Sequence, residues 1–388
     1  RVDPIVGPSH YQEPAKYAPP STKPGTVQFW AEEGTVYFLT ALTQPWHAAL
    51  FAPHLGYYSL IANAATLLAT LVPLENAPVV TLVISFLAQL LPAMIVMASR
   101  SSVFSTPWIR LATCVALIFV PSAVGEIWLN VINTQAFFAV SGFLLLIEPD
   151  APPRRTTALA MLLLFLGLSA PAVVFLLPLF VIRWLVTRHR SSWILCGTLI
   201  FTFLVQVVAH LAVASERTQA SWHDWFTGWL TTNVAGAVLY RYPGPSALVA
   251  AGILLTLGLL VLGTHRSPML LVSLSAFIWL SMLSSWFSLR GTSGPRYAYA
   301  PTIALVVALL AVVSRAIEPR AARLVAGLMV GAILAGGILT YFRPDPSISP
   351  AFPVWAEEVS RFRAGETDEL LLWPQWEERS WSVRVPRA

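Results

Sequence analysis

The residues able to do chemistry in this 388-residue sequence gather in a few short stretches. The first is FWAEEGTVYF, residues 29–38, which sets Glu32 and Glu33 between aromatic clusters. Acids beside Phe29, Trp30, Tyr37 and Phe38 can open an interfacial helix, because negative charge suits a helix N-terminus. They can also supply a general base, because a carboxylate held against apolar walls has its pKa raised towards the working range. Adjacent helical residues point about 100° apart, so only one of the two can face a given cavity. The other is then structural, or binds a partner or ion.

In GEIWLNVINTQ, Glu126, Asn130 and Asn133 follow at spacings of four and three, which predicts one polar stripe at the outer end of a span. Unpaired polar groups are costly in lipid, so the stripe serves either an interhelical hydrogen-bond network or a substrate, and Gln135 can join either. Arg290 and Arg296 flank GTSGP just before Tyr297 and Tyr299, and Arg241 sits between Tyr240 and Tyr242. Arginine forks match phosphate oxygens, whether of a substrate or of lipid headgroups. Arg296 is the favoured functional candidate, because positive charge on the outer side runs against the orientation rule. His47 and His54, in QPWHAALFAPHLGYY, could bind a metal or protonate a leaving group, but their spacing matches no recognised ligand pattern, and a lone interfacial histidine is the plainer reading. Walker, HExxH and GxSxG motifs are absent, as is an acid-base relay through mid-span, which argues against an ATPase, a zinc protease, a serine hydrolase or a proton pump.

The elements that must position these groups are membrane helices. Hydrophobic residues make up 56% and charged residues 11% of the chain, far below the roughly 25% charge of a soluble domain. Apolar runs near 77–98, 108–124, 131–147, 193–214, 246–263, 268–288, 297–314 and 323–341 are long enough to span. The run 158–186 is broken at Ser169-Ala170-Pro171 and reads as two short helices, giving an all-α polytopic membrane protein of about ten transmembrane helices. Arg100, Arg110, Arg154, Arg155, Arg183, Arg188, Arg190, Arg266, Arg315, Arg320 and Arg323 then share the cytoplasmic side, leaving Arg217, Arg241, Arg290 and Arg296 outside. Cys114 and Cys196 lie in apolar runs and offer neither a disulfide framework nor a CxxC site, and no basic, aromatic-interleaved patch suggests nucleic acid.

Three regions follow: an external loop with the acids and a surface helix (1–76), a transmembrane domain (77–341) and an external C-terminal α/β cap (342–388). In 57–73, Ser59, Asn63, Thr66 and Thr70 form a polar stripe suited to an interface or a cavity. SWHDWFTGWLTT, 221–232, repeats that logic, with tryptophans at headgroup depth. In the tail, VWAEEVSRFRA has helical spacing while ELLLWP and WSVRV read as short strands; the recurrence of WAEE at 30–33 and 355–358 reads as coincidence. With an external N-terminal segment that begins at Arg1, a preceding first transmembrane helix or a processed chain is expected.

The succession FWAEEGTVYF, FAPHLGYYSL, GEIWLNVINTQAFF, GLSAP, GPRYAYAP and LLLWPQW resembles bacterial multi-span proteins related to the GT-C glycosyltransferases, over most of the chain and on short, degenerate motifs. The resemblance implies a protein of the bacterial cytoplasmic (inner) membrane whose loop and cap face the periplasm. It implies transfer of a sugar from a polyprenyl-phosphate donor to a glycan, lipid or protein acceptor, with inversion. Its first-loop pattern has Glu followed by Asp, so Glu32 matches the first acid and Glu33 replaces the second with one more methylene. Glu33 would be the base, Arg296 with Arg290 or Arg241 would neutralise the lipid phosphate, and Glu126, Asn130, Asn133, Gln135, His54 and Tyr297 would meet sugar or acceptor. No cofactor is required; a divalent cation could assist the phosphate, though no compact ligand cluster demands one. The rival readings are a lipid-linked-sugar transporter or flippase, and a non-catalytic assembly subunit with membrane-protein partners.

Overall fold

The computed structural model describes residues 27–123, 127–213, 221–239, 246–264, 268–287, 295–315, 317–341, 353–373 and 381–386. A π-helical turn, Glu33–Phe38, continues into the short helices α1 (Leu39–Thr43) and α2 (Trp46–Phe51) and then α3 (Leu60–Ala69). The bundle proper begins with α4 (Ala77–Ala98), α5 (Pro107–Phe119), α6 (Thr134–Leu146) and α7 (Pro153–Ser169). After α8 (Pro171–Val174) come α9 (Leu177–Thr187) and α10 (Arg190–Ala212). The remainder is α11 (Trp222–Gly228), α12 (Ser246–Gly263), α13 (Pro268–Trp286), α14 (Tyr299–Val313) and α15 (Arg320–Tyr341). Last come α16 (Trp355–Arg363) and an antiparallel pair, β1 (Glu369–Leu371) with β2 (Ser382–Arg384), as the tail's patterning predicts.

Among the described residues five helical segments are long and apolar enough to cross a membrane: Leu74–Ala98, Arg190–Ala212, Pro268–Trp286, Arg296–Val313 and Arg320–Tyr341. The chain is a helical membrane protein. Of the about ten spans expected, these five are present at full length; α5 and α6 are shorter than their apolar runs, and α12 fills its run, 246–263. At α5 and α6 the reason is local. α5 ends at Phe119, before Pro121, and α6 begins at Thr134, inside the run 131–147. The break at 169–171 is present: Ala170 is extended, at φ −145° and ψ 114°, between α7 and α8.

Two ends of the bundle can be told apart by hydrogen bonds. At one end, Arg110 donates to the carbonyls of Met97, Ser99 and Phe104, while Glu148 accepts from the Ser99 hydroxyl, the Arg100 amide and Arg155. Arg183 reaches Leu146 O at 2.8 Å and Asp150 at 3.1 Å. The end of α4, the start of α5, the end of α6, the starts of α7 and α10 and the end of α9 therefore meet there. This is how the arginine asymmetry groups them, and the 153–187 hairpin returns to the level it left. At the other end lie the starts of α4, α6 and α14, and α15 finishes there: the Tyr341 ring lies 5.2 Å from Phe119 and 6.4 Å from Trp128.

At the centre is α14, buried at every position from Tyr299 to Val312, as a helix apolar on all sides must be. It packs on α13, α15, α6 and α5. Close approach depends on small residues: a Cβ on Gly337 would stand 1.5 Å from the Phe119 carbonyl oxygen.

The polar stripe of 57–73 does not lie along an interface or line a cavity. Ser59, Asn63 and Thr66 are buried: Ser59 donates to Ser169 O at 2.9 Å, Asn63 to Leu50 O and Ala52 O, and Thr66 back to its own helix. Those carbonyls end α7 and α2, where helical partners run out, and they draw the stripe inward. The aromatic face of 221–232 is divided: Trp225 and Trp229 donate to Met282 O and Ser281 Oγ on α13, whereas Trp222 and Phe226 are exposed.

Candidate functional site

The site grows from the segment entering the π-helical turn. Its backbone is held by the C-terminal cap: Ala31 N donates to Trp373 O at 2.6 Å and Trp373 N to Phe29 O at 3.2 Å. Phe29 packs edge-on to Trp355, and Leu372 fills the space that a Gly34 side chain would need. So anchored, the turn sends Glu33 inward and leaves Glu32 half-buried at its start.

Glu33 is 1% exposed. Its Oε2 accepts from the Trp30 amide at 3.1 Å, which is the helix-start role, while Oε1 has no hydrogen bond of normal geometry. The Thr81 hydroxyl, in the first turns of α4, and the Val131 amide are close enough to favour the ionised form without meeting that geometry. Burial outweighs these contacts and raises the pKa from the usual 4.5 to about 7. Both readings of the acidic pair thus meet in one residue, with one oxygen capping and the other unsatisfied.

One turn on, Tyr37 packs edge-on to His54 at 4.7 Å. His54 begins a tight turn in which Leu55 (φ 54°) and Gly56 (φ 81°) are both left-handed and His54 and Tyr57 exchange backbone hydrogen bonds at 2.9 and 3.0 Å. Burial lowers the imidazole pKa to about 4, so the ring is neutral, and its Nε2 makes no hydrogen bond. The turn is fixed to the bundle by Gln206 of α10, which accepts from Tyr58 N and donates to Tyr58 O and Gly167 O, and by the His210 ring against Gly56 O. Tyr57 OH accepts from Gln135 at 3.0 Å, tying it to α6.

Asn130 and Asn133 are not on a helical stripe. Residues 127–133 form a loop with Leu129 left-handed (φ 56°), Asn130 Oδ1 accepting from Asn133 N at 2.9 Å, and Asn133 standing at the N-cap of α6. A side-chain acceptor that bonds the backbone three residues on offers the chain an alternative to helix, and here the alternative wins. Glu126 lies outside the described residues, as do Arg241 and Arg290.

Arg296 and Tyr297 sit on the 3-10 turn Pro295–Ala298, with the guanidinium 5.1 Å from the Tyr297 ring and Nη2 3.4 Å from its hydroxyl. The next helix places this turn at the same end as Glu33: Tyr299 donates to Leu117 O and packs on Phe137 at 4.9 Å. The turn itself rests on residues 229–235, α13 and α14, and among the described residues no hydrogen bond or ion pair joins Arg296 to Glu33. His47 lies apart, edge-on to Trp46.

The structure therefore brings together Glu33, His54, Gln135 and the 130–133 loop, and adds Thr81, Tyr37 and Tyr57, which had no separate signal in the sequence. Among the described residues no group of three or more His, Cys, Asp or Glu side chains could hold a metal ion. Neither of two surface cavities adjoins Glu33: one, of about 450 Å³, lies between the first turns of α7 and α10, and one, of about 400 Å³, lies under the cap between Leu42, Leu74, Phe362 and Val385. Chemically, the cluster offers a carboxyl that exchanges its proton near neutrality, beside neutral hydrogen-bonding groups.

Compared with models of known families, with curated proteins and with solved structures, the chain matches none.

Proposed function

We propose that this protein is a membrane glycosyltransferase that moves a sugar from a polyprenyl phosphate to an acceptor hydroxyl on the face bearing Glu33 and the cap, with Glu33 as general base. The observation that carries this reading is the buried Glu33 carboxylate, anchored by Oε2 with Oε1 unsatisfied. Oε1 accepts the acceptor's hydroxyl proton while that oxygen bonds to the anomeric carbon. The bond from that carbon to the phosphate oxygen breaks, its electron pair leaves with the polyprenyl phosphate, and the sugar inverts. Base assistance of this kind supplies about 10² to 10⁴ in rate.

Asn133, half-buried beside Gln135, is suited to sugar hydroxyls. Arg296, at the same end, is suited to the departing phosphate, and the arginine-rich opposite end then faces the cytoplasm. With Glu33 at 1% exposure, the acceptor enters by displacing a wall, and two candidate walls, 52–58 and 127–133, each contain a left-handed leucine.

The test is a Glu33→Gln strain compared with wild type by mass spectrometry of lipid-linked sugars and surface glycans. Accumulated polyprenyl-phosphate sugar at normal protein level supports the assignment. Unchanged glycans at normal protein level overturn it.

A further inference from the structure

The arginine-rich end contains an arrangement that glycosyl transfer does not use. The cavity of about 450 Å³ between α7 and α10 is lined by Pro153, Thr156 and Thr157 on one side and His189, Arg190 and Ser191 on the other. Asp150 also lines the cavity, but its carboxylate is matched by Arg183 and the hydroxyls of Ser191 and Ser192, as Glu148 close by is matched by Arg155. Arg154, Arg188 and Arg190 are exposed and form no ion pair among the described residues. Arg190 lines the cavity, and Arg154 and Arg188 are the chain neighbours of its walls Pro153 and His189.

His189 adds a donor. Its Nδ1 accepts from the Ser191 amide at 3.2 Å, which places the proton of the neutral ring on Nε2, and half of the side chain is exposed. Depth is marked by tryptophan. Arg188 lies 5.8 Å over the Trp184 ring, and Trp184 lies 5.0 Å from the half-exposed Trp193. Such pairs prefer the headgroup level, so the excess positive charge opens where phosphates are dense.

We propose that this cavity binds the phosphate of an anionic membrane lipid, at the end of the bundle opposite Glu33. A phosphodiester meets Arg190, the imidazole Nε2–H and the field of Arg154 and Arg188, while its acyl chains lie along the apolar flanks of α7 and α10. Each arginine near an anionic surface is worth about fivefold in affinity.

The experiment titrates the detergent-purified full chain with phosphatidylglycerol, phosphatidylcholine or inorganic phosphate and reads bound species by native mass spectrometry. Phosphatidylglycerol is expected to bind more tightly than phosphatidylcholine. Arg190→Gln should weaken it about fivefold, Arg154→Gln with Arg190→Gln on the order of 25-fold, and Arg190→Lys should keep most of it. Arg320→Gln, an exposed charge at the start of α15, should leave it unchanged. Equal binding of the two lipids, or an equal loss from Arg320→Gln, overturns the site. Inorganic phosphate that binds alone, with the same dependence on Arg190, and displaces the lipid overturns the lipid as its source.

Discussion

Glu33 ought to make the folded protein less stable as its working pH is approached, and the isosteric Glu33→Gln substitution should remove that penalty. Folded, the carboxyl titrates near 7; unfolded, it returns to about 4.5. Between these values the native state keeps a proton that the unfolded chain releases, so stability is full below about 4.5 and is lost as pH rises through 7. At ~1.4 kcal/mol per pH unit between the two values, the whole loss is about 3 kcal/mol. Glutamine retains an oxygen for the Trp30 amide and carries no charge to desolvate. Thermal unfolding of wild type and Glu33→Gln in one detergent should therefore coincide near pH 4.5, diverge up to about pH 7 and keep a constant separation above it, with the variant the more stable and yet inactive. Glu32→Gln keeps the buried Glu33 carboxyl and should therefore keep its loss of stability above pH 4.5. Parallel wild-type and Glu33→Gln curves across this range would refute the burial argument, and with it the reason for preferring Glu33 to Glu32.

Four further outcomes follow from the same geometry. If Glu33 is the base, wild-type kcat/KM should rise with pH through about 7 and level off above it, measured on a lipid-linked sugar donor. A Gly34→Ala methyl would meet Leu372 Cδ1 at 2.6 Å, which predicts a loss of about 1–3 kcal/mol by thermal unfolding and faster proteolysis of the cap, partly restored by adding Leu372→Ala. Gly337→Ala meets the Phe119 carbonyl, a backbone atom that cannot swing aside, and should abolish the monodisperse peak in size exclusion. Gln206→Leu strands the Tyr58 amide and two carbonyls, each costing about 1–3 kcal/mol if left unpaired, and should lower both the melting temperature and activity.

What could be read beforehand tracks how local the cause is. The positions of the five full-length spans, the segregation of Arg100, Arg110, Arg155 and Arg183, the break at Ala170 and the strands of the tail depend on composition or nearest neighbours, and all are visible in the chain alone. The Asn130/Asn133 stripe fails because spacing assumes a helix, whereas one left-handed leucine and one side-chain bond make a loop. The stripe of α3 was visible but its direction was not, since only the carbonyls of Leu50, Ala52 and Ser169 say which way it faces. The preference for Glu33 came from resemblance; its physical cause is burial, by packing that brings Thr81 and Val131, far off in sequence, against it. Arg296 has less support, because its turn rests on residues 229–235, α13 and α14.

The hydrogen bonds between Phe29–Ala31 and Trp373 also carry a consequence in time. During synthesis the segment holding Glu33 emerges before the residue that pins it, Trp373, with the helices of the bundle made in between. Until Trp373 has been delivered to the same face and has closed on Ala31, the turn lacks its backbone partner and Gly34 lacks Leu372 against it. A chain interrupted before Trp373 would thus carry Glu33 on a turn without its backbone partner, and the turn is completed only after α15 has been made.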